Sequence, residues 1–302
     1  MLASDGQSLH HGSRYTMIET GLVSTHWLAQ RLGNPSLRLV DGSWYLPTSG
    51  RDARAEYLAG HLPGAVFFDL DAVSDRGSPL PHMLPPARQF AEQVGALGIG
   101  DGDAVVVYDG SGANLSAARV WWMFRAFGHE NVAVLDGGLP KWRAEGRLLE
   151  PGEVSRPTAR FTARAVPGGS VRDLAAMRGV LERGEAQIVD MRSAGRFTGA
   201  EPEPRPGLRG GHIPGSRNLP YGELVGADGT LLPADALRRR IVAAGVDPAR
   251  PIVVTCGSGV SACVLIHALH LLGHRQVSLY DGAWAEWGAR DDTPVSTGIL
   301  SP

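Results

Sequence analysis

Apolar residues recur along this chain in short, nearly unbroken runs, separated by longer segments of helical period. In the first half, Leu37–Val40, Ala65–Phe68, Ala104–Tyr108 and Val132–Leu135 read as strands. Ala53–Ala59, Ala87–Leu97 and Ser116–Phe127 read as helices between them. Strands this uniformly apolar belong to parallel sheets covered on both faces, where no side of the pleat meets water. In the second half Pro251–Thr255 is another such strand, followed by the glycine-spaced loop Cys256–Ala262 and an apolar segment, Cys263–Leu272, of helical length. The alternation predicts an α/β architecture.

The pattern occurs twice. Val40-Asp41 leads on to Gly60-His-Leu-Pro-Gly-Ala65, and Val189-Asp190 leads on to Gly211-His-Ile-Pro-Gly-Ser216. Val105–Tyr108 matches Ile252–Thr255, and Phe127-Gly-His129 matches Leu272-Gly-His274. The run from Asp136 to Trp142 matches that from Asp281 to Trp287. The order is kept at an offset of roughly 150 residues, a tandem domain duplication and too long a period for a solenoid. The expected organisation is an N-terminal domain over 17–149, a linker rich in Pro, Gly and Arg over 150–169, and a C-terminal domain over 170–302. Each domain is expected to be a mainly parallel sheet flanked by helices.

Composition adds bounds. The 302 residues are 43% hydrophobic and 20% charged, with a net charge of −2. That is an ordinary globular balance, with no overall field favouring nucleic acid or an anionic membrane. No apolar stretch is long enough to span a bilayer. Residues 1–16 lack the apolar core of an export signal, Met17 is a possible start, and a cytoplasmic location is expected. The two cysteines, Cys256 and Cys263, would stand roughly 10 Å apart along a helix, beyond the reach of a disulfide, so a reducing compartment is implied.

The duplication singles out Cys256. Its counterpart is Asp109, whereas Cys263 matches Ala118 inside a helix and reads as core. A thiol at a strand-to-helix turn meets converging loop amides and a helix N-terminus, which favour the thiolate and any anion it carries. Gly257 and Gly259 allow that convergence. Cysteine phosphatases place an arginine six positions after the cysteine; here Ala262 stands there, so the phosphate clamp is missing. No lysine follows the glycines, so this is not a nucleotide loop. His267 and His270 share a helix without other ligands nearby in sequence, and no metal or organic cofactor is expected. His61, His212, His129 and His274 recur in both copies and are assigned to the fold; His82 has no counterpart histidine. Arg192, in Val-Asp-Met-Arg, also reads as structural.

Four separated segments carry a resemblance. Cys256-Gly-Ser-Gly-Val-Ser-Ala262, Gly195-Arg-Phe-Thr-Gly-Ala-Glu-Pro-Glu-Pro-Arg205, Gly211-His-Ile-Pro-Gly215 and the run from Arg119 to His129 resemble the rhodanese superfamily. The form is the two-domain one with a single catalytic domain, and the chain resembles 3-mercaptopyruvate sulfurtransferases in particular. It extends from about Thr20 to Pro294; Ser261 departs from the usual threonine but keeps the hydroxyl. The resemblance implies two tandem rhodanese-like domains with Cys256 as nucleophile. It implies that Arg196 and Arg205 grip the donor's carboxylate and ketone, a task that suits the planar guanidinium. It also implies a relay of Asp71, His82 and Ser258 across the domain interface, with Tyr108 near the substrate carbonyl. Gly257, Gly259, Val260 and Ser261 would complete the cradle. The alternatives are a loop-anchoring network for the relay and an interface-packed strand end for Tyr108.

Thiosulfate-using relatives carry basic residues just after the cysteine, where Gly257 and Ser258 are neutral here. The expected reaction is therefore sulfur transfer from 3-mercaptopyruvate, through a Cys256 persulfide, to thioredoxin, a small thiol or cyanide, with release of pyruvate. A thiosulfate:cyanide sulfurtransferase and a low-turnover persulfide carrier are the alternatives.

Overall fold

The computed structural model describes Ile18 and residues 20–298. The expectations for residues 1–16 and Met17 concern residues outside that range. Among the described residues, ten strands form two sheets. The first holds β1 (Leu22–Val23), β2 (Leu37–Asp41), β3 (Val66–Phe67), β4 (Ala104–Tyr108) and β5 (Val132–Leu135), in the order β1-β5-β4-β2-β3. The second holds β6 (Val171–Arg172), β7 (Gln187–Asp190), β8 (Arg217–Asn218), β9 (Ile252–Thr255) and β10 (Val277–Tyr280), in the order β6-β10-β9-β7-β8. The two orders are the same topology, and the strand ladders are parallel throughout. The duplication read from sequence is thus a duplication of fold. The short edge strands β1 and β6 carry too little apolar pattern to be read in advance.

Alternation along the central strands divides the core. Val105 and Val107 of β4, with Ile252 and Val254 of β9, join one large cluster shared by both domains. Ala104, Val106 and Tyr108 point to the opposite side, into a cluster belonging to the first domain alone. Val253 does the same in the second domain. Period-two geometry makes this assignment unavoidable once one residue's face is known.

Two corresponding helices, Leu115–Ala126 and Ala262–Leu271, pack against each other between the domains. Each is buried on nearly every side. One side covers its own sheet and the other covers the partner helix, which is why neither has a polar face. Each fully buried Val or Leu there contributes about 1.5–3 kcal/mol, enough collectively to make the domain interface a core.

Paired hydrogen bonds lock the same interface. Asp136, after β5, accepts from the Leu231 amide of the second domain at 2.8 Å. Asp281, after β10, accepts from the Leu84 amide of the first at 2.7 Å. Residues 151–169 form no helix or strand but are not a free tether. Ala159 and Arg164 donate backbone hydrogen bonds to Gly95 and Phe127. Phe161 is buried among Phe90 and Phe124, with ring centroids 5.7 and 5.8 Å away. This segment is a strap on the first domain.

Candidate active site

Strand β9 delivers Cys256 to its carboxyl end, where parallel α/β sheets place their binding crevices. The loop that follows is tied down from outside. The carbonyls of Cys256 and Gly257 accept from the Trp284 and Ala285 amides, both at 2.9 Å. The amides of Gly257 to Ser261 donate to no protein acceptor among the described residues. They are left for an anion beside the sulfur. The first domain shows the use of such a cradle: Asp109, at the position of Cys256, accepts from the Ser111 and Ala117 amides at 2.8 Å each. A built-in carboxylate fills the loop there; a thiol opens it here.

Cys256 is 2% exposed at the floor of a cleft between the domains, with a cavity of ≈ 330 Å³. Gly257, Ser258, Val260, Ser261, Arg196 and Arg205 line it from the catalytic domain. Gly259 offers the cradle its amide but lines no part of the cleft. Its φ of 77° makes the turn under the loop, and a Cβ there would meet Arg119 Nη1 at 3.1 Å. Only glycine adopts that turn freely. Both cysteines are free thiols. Cys263 lies beneath the loop, its Sγ donating to Gly259 O at 3.4 Å. Burial pushes that thiol up to about 12, so it is inert core.

The three relay residues come together. His82 Nδ1 is 3.0 Å from Ser258 Oγ, and His82 Nε2 is 2.9 Å from Asp71 Oδ1. Asp71 also accepts from Trp44 Nε1 at 3.0 Å. The His82 bond, aided by the Trp44 indole and the charge of Arg205, holds the Asp71 carboxyl below its ordinary range. Asp71 accepts the hydrogen bond from Nε2–H, which turns Nδ1 toward the Ser258 hydroxyl as its partner. Trp44 packs edge-on to His82 at 4.5 Å and fixes the ring's tilt.

The two arginines differ. Ser193 caps the helix Ala194–Thr198 and accepts from the Arg196 amide. Arg196 is paired with the buried Glu203, at 3.1 Å from Nε and 2.6 Å from Nη2. Gly257 lets that guanidinium lie against the loop, since a Cβ would sit 2.8 Å from Nη2. Arg205 has no carboxylate partner among the described residues; its Nη2 donates to Ser258 Oγ at 3.4 Å. Burial and the nearby Arg196 push its pKa down, while Cys256 opposes the shift. Arg192 is occupied elsewhere, bonded to Asp190, Glu203 and the Gly211 carbonyl and stacked on Trp284.

Tyr108 departs from its expected place near the substrate carbonyl. It stands on the first-domain side of β4, fully buried, with its hydroxyl accepting from the Leu62 amide at 3.1 Å. Strand alternation carries it away from the cleft. The cleft's tyrosines are Tyr45 and Tyr221, which sequence reasoning did not single out. Tyr45 is stacked under Arg51, and both bond Glu56. Glu203 lay inside a matched segment but carried no signal of its role as counter-ion. No group of three or more potential metal ligands occurs among the described residues.

The rhodanese-like domain pattern matches twice, over residues 24–145 and 173–290. The chain belongs to the rhodanese family. Its two rhodanese domains are 45% identical to human 3-mercaptopyruvate sulfurtransferase over 284 residues, covering 92% of this chain and 95% of the relative. They are 42% identical to bovine thiosulfate sulfurtransferase, covering 94% and 98%. A solved 3-mercaptopyruvate sulfotransferase of Escherichia coli superposes with a TM-score of 0.80 at 42% identity, over 88% of this chain and 99% of that one.

Proposed function

We propose that this rhodanese is a 3-mercaptopyruvate sulfurtransferase working by a ping-pong reaction through Cys256. The observation that carries the choice of donor is the charge around the thiol. Glu203 neutralises Arg196, and residues 257 and 258 are uncharged, so Arg205 is the one uncompensated cation among the described cleft residues. One free guanidinium beside a polarised hydroxyl suits a donor with a single carboxylate and an adjacent ketone; a dianion would need a second cation. The human and Escherichia coli relatives named for 3-mercaptopyruvate support the same choice.

The Cys256 thiolate attacks the sulfur of the donor, and the donor's carbon–sulfur bond breaks. The electron pair passes to the departing carbon and on to the ketone oxygen, giving the pyruvate enolate, held by Arg205 and Arg196. The proton of the donor's thiol passes to the enolate carbon, directly or by way of Ser258 and His82, and pyruvate leaves. The outer sulfur of the Cys256 persulfide rests on the amides of Gly257 to Ser261. An acceptor thiolate (on thioredoxin or a small dithiol) or cyanide then attacks that sulfur and restores the Cys256 thiolate. Intact mass after donor treatment should rise by one sulfur and Cys256→Ser should stay unchanged; a gain by the variant would end this scheme. The likeness to bovine thiosulfate sulfurtransferase favours a second reading, use of thiosulfate. Comparison of kcat/KM for the two donors decides between them, and a clear preference for thiosulfate would overturn the first.

A further inference from the structure

The duplicated fold makes one buried charge conspicuous. Arg119 lies in the interface helix Leu115–Ala126, fully buried. Alignment of Ala118 with Cys263 puts Val264 at its place in the other copy. The apolar interface would accept a valine here too, so packing alone does not call for the charge.

Its contacts converge on the site. Nη1 pairs with Asp281 at 2.8 Å and donates to the Gly259 carbonyl at 3.3 Å. Nη2 donates to the His82 carbonyl. The other carboxylate oxygen of Asp281 accepts from Leu84, two residues after His82. The segment 82–84 is therefore gripped at both ends by one ion pair. His82 needs gripping, because its φ is 59°, in the left-handed region. A residue with a Cβ enters that region at a cost. The corresponding turn of the second domain has Gly229, at φ 76°, where no such restraint is required.

We propose that the buried Arg119–Asp281 pair is the positioning device of the relay: it holds His82 in its left-handed conformation so that Nδ1 meets Ser258 across the domain interface. Neither residue lines the cleft, and the proposed route of their effect is His82 rather than the Gly259 carbonyl that Arg119 also holds. The proposal rests on the sulfur-transfer reading above. That reading stands or falls with persulfide loading of the wild-type protein, whereas the pair is tested by comparing variants.

The experiment is a double-mutant cycle on the single-turnover rate of Cys256 persulfide formation from 3-mercaptopyruvate. Arg119→Lys keeps a charge for Asp281 but cannot fork to both partners. It should slow loading about 10- to 100-fold with little change in KM, the penalty for a misplaced catalytic group. In a His82→Ala background the same substitution should change the rate less than about twofold, because residues acting as one unit are not additive. Asp281→Asn should show the same pattern and serves alone if Arg119→Lys does not fold. Asp136→Asn, which loosens the matching interlock away from the cleft, should lower the melting temperature and leave the loading rate intact. Equal losses with and without His82 would overturn the proposal, as would normal loading in either pair variant.

Discussion

His82 Nδ1 and Ser258 Oγ are 3.0 Å apart although 176 positions separate them in the chain. One belongs to the domain without a catalytic cysteine and the other to the loop that carries it. The N-terminal domain thus supplies side chains to the cleft and a histidine to the loop of Cys256, although it carries Asp109 in place of the thiol. Removing either partner should cost kcat rather than KM. Ser258→Ala and His82→Ala are each expected to lower kcat by about 10²–10⁴-fold, the usual worth of a positioned proton carrier. The double variant should be little worse than either single one. Steady-state kinetics with 3-mercaptopyruvate check this.

Arg205 and Glu203 set the charge seen by the donor. Arg205→Ala removes charged hydrogen bonds of about 1.5–3 kcal/mol, so kcat/KM for 3-mercaptopyruvate should fall about 10- to 100-fold, mainly through KM. Glu203→Gln should do the opposite for a dianion. It releases Arg196 from the carboxylate 2.6 Å away and should raise the ratio of thiosulfate to mercaptopyruvate kcat/KM. An unchanged ratio would count against charge as the basis of donor choice.

His267 joins the domains, with Nε2 donating to the Gly21 carbonyl at 2.8 Å and its ring edge-on to Trp121. Burial lowers its pKa from 6.5 to about 4. The unfolded chain therefore binds more protons than the native protein between those values, and stability falls as pH drops through that window. The contribution is fully present above pH 6.5 and is lost progressively down to about pH 4. Chemical denaturation at several pH values should show this slope, and His267→Gln, which can still donate to Gly21, should flatten it.

Phe161 tests the strap. If residues 151–169 were a loose tether, Phe161→Ala would be neutral. Buried among Phe90, Phe124 and His129, it should instead cost about 3–5 kcal/mol and leave KM for the donor unaltered. Urea denaturation and steady-state kinetics give the two numbers.

Much of this was legible beforehand. Apolar runs marked the parallel strands, because strands buried on both faces have no polar positions. The repeat marked two domains, and the replacement of Asp109 by Cys256 marked the armed loop, because a local turn is encoded by its own glycines. The relay and the arginines were located through the resemblance, since nothing within a few residues of His82 or Arg205 announces a partner in another segment. Tyr108 was misplaced because a strand-end residue belongs to one of two faces, and only the register of β4 in the sheet selects which. Glu203, Arg119 and Asp281 sat in or beside matched segments without a role. A counter-ion or a buried brace is defined by what folds against it. The chain's own pattern thus determined the elements, their duplication and the one loop that carries a thiol, all of them readable from the order of residues alone. Only the tertiary structure decided the charge of the cleft and the alignment of His82 with Ser258, because both depend on which surfaces of the two domains meet.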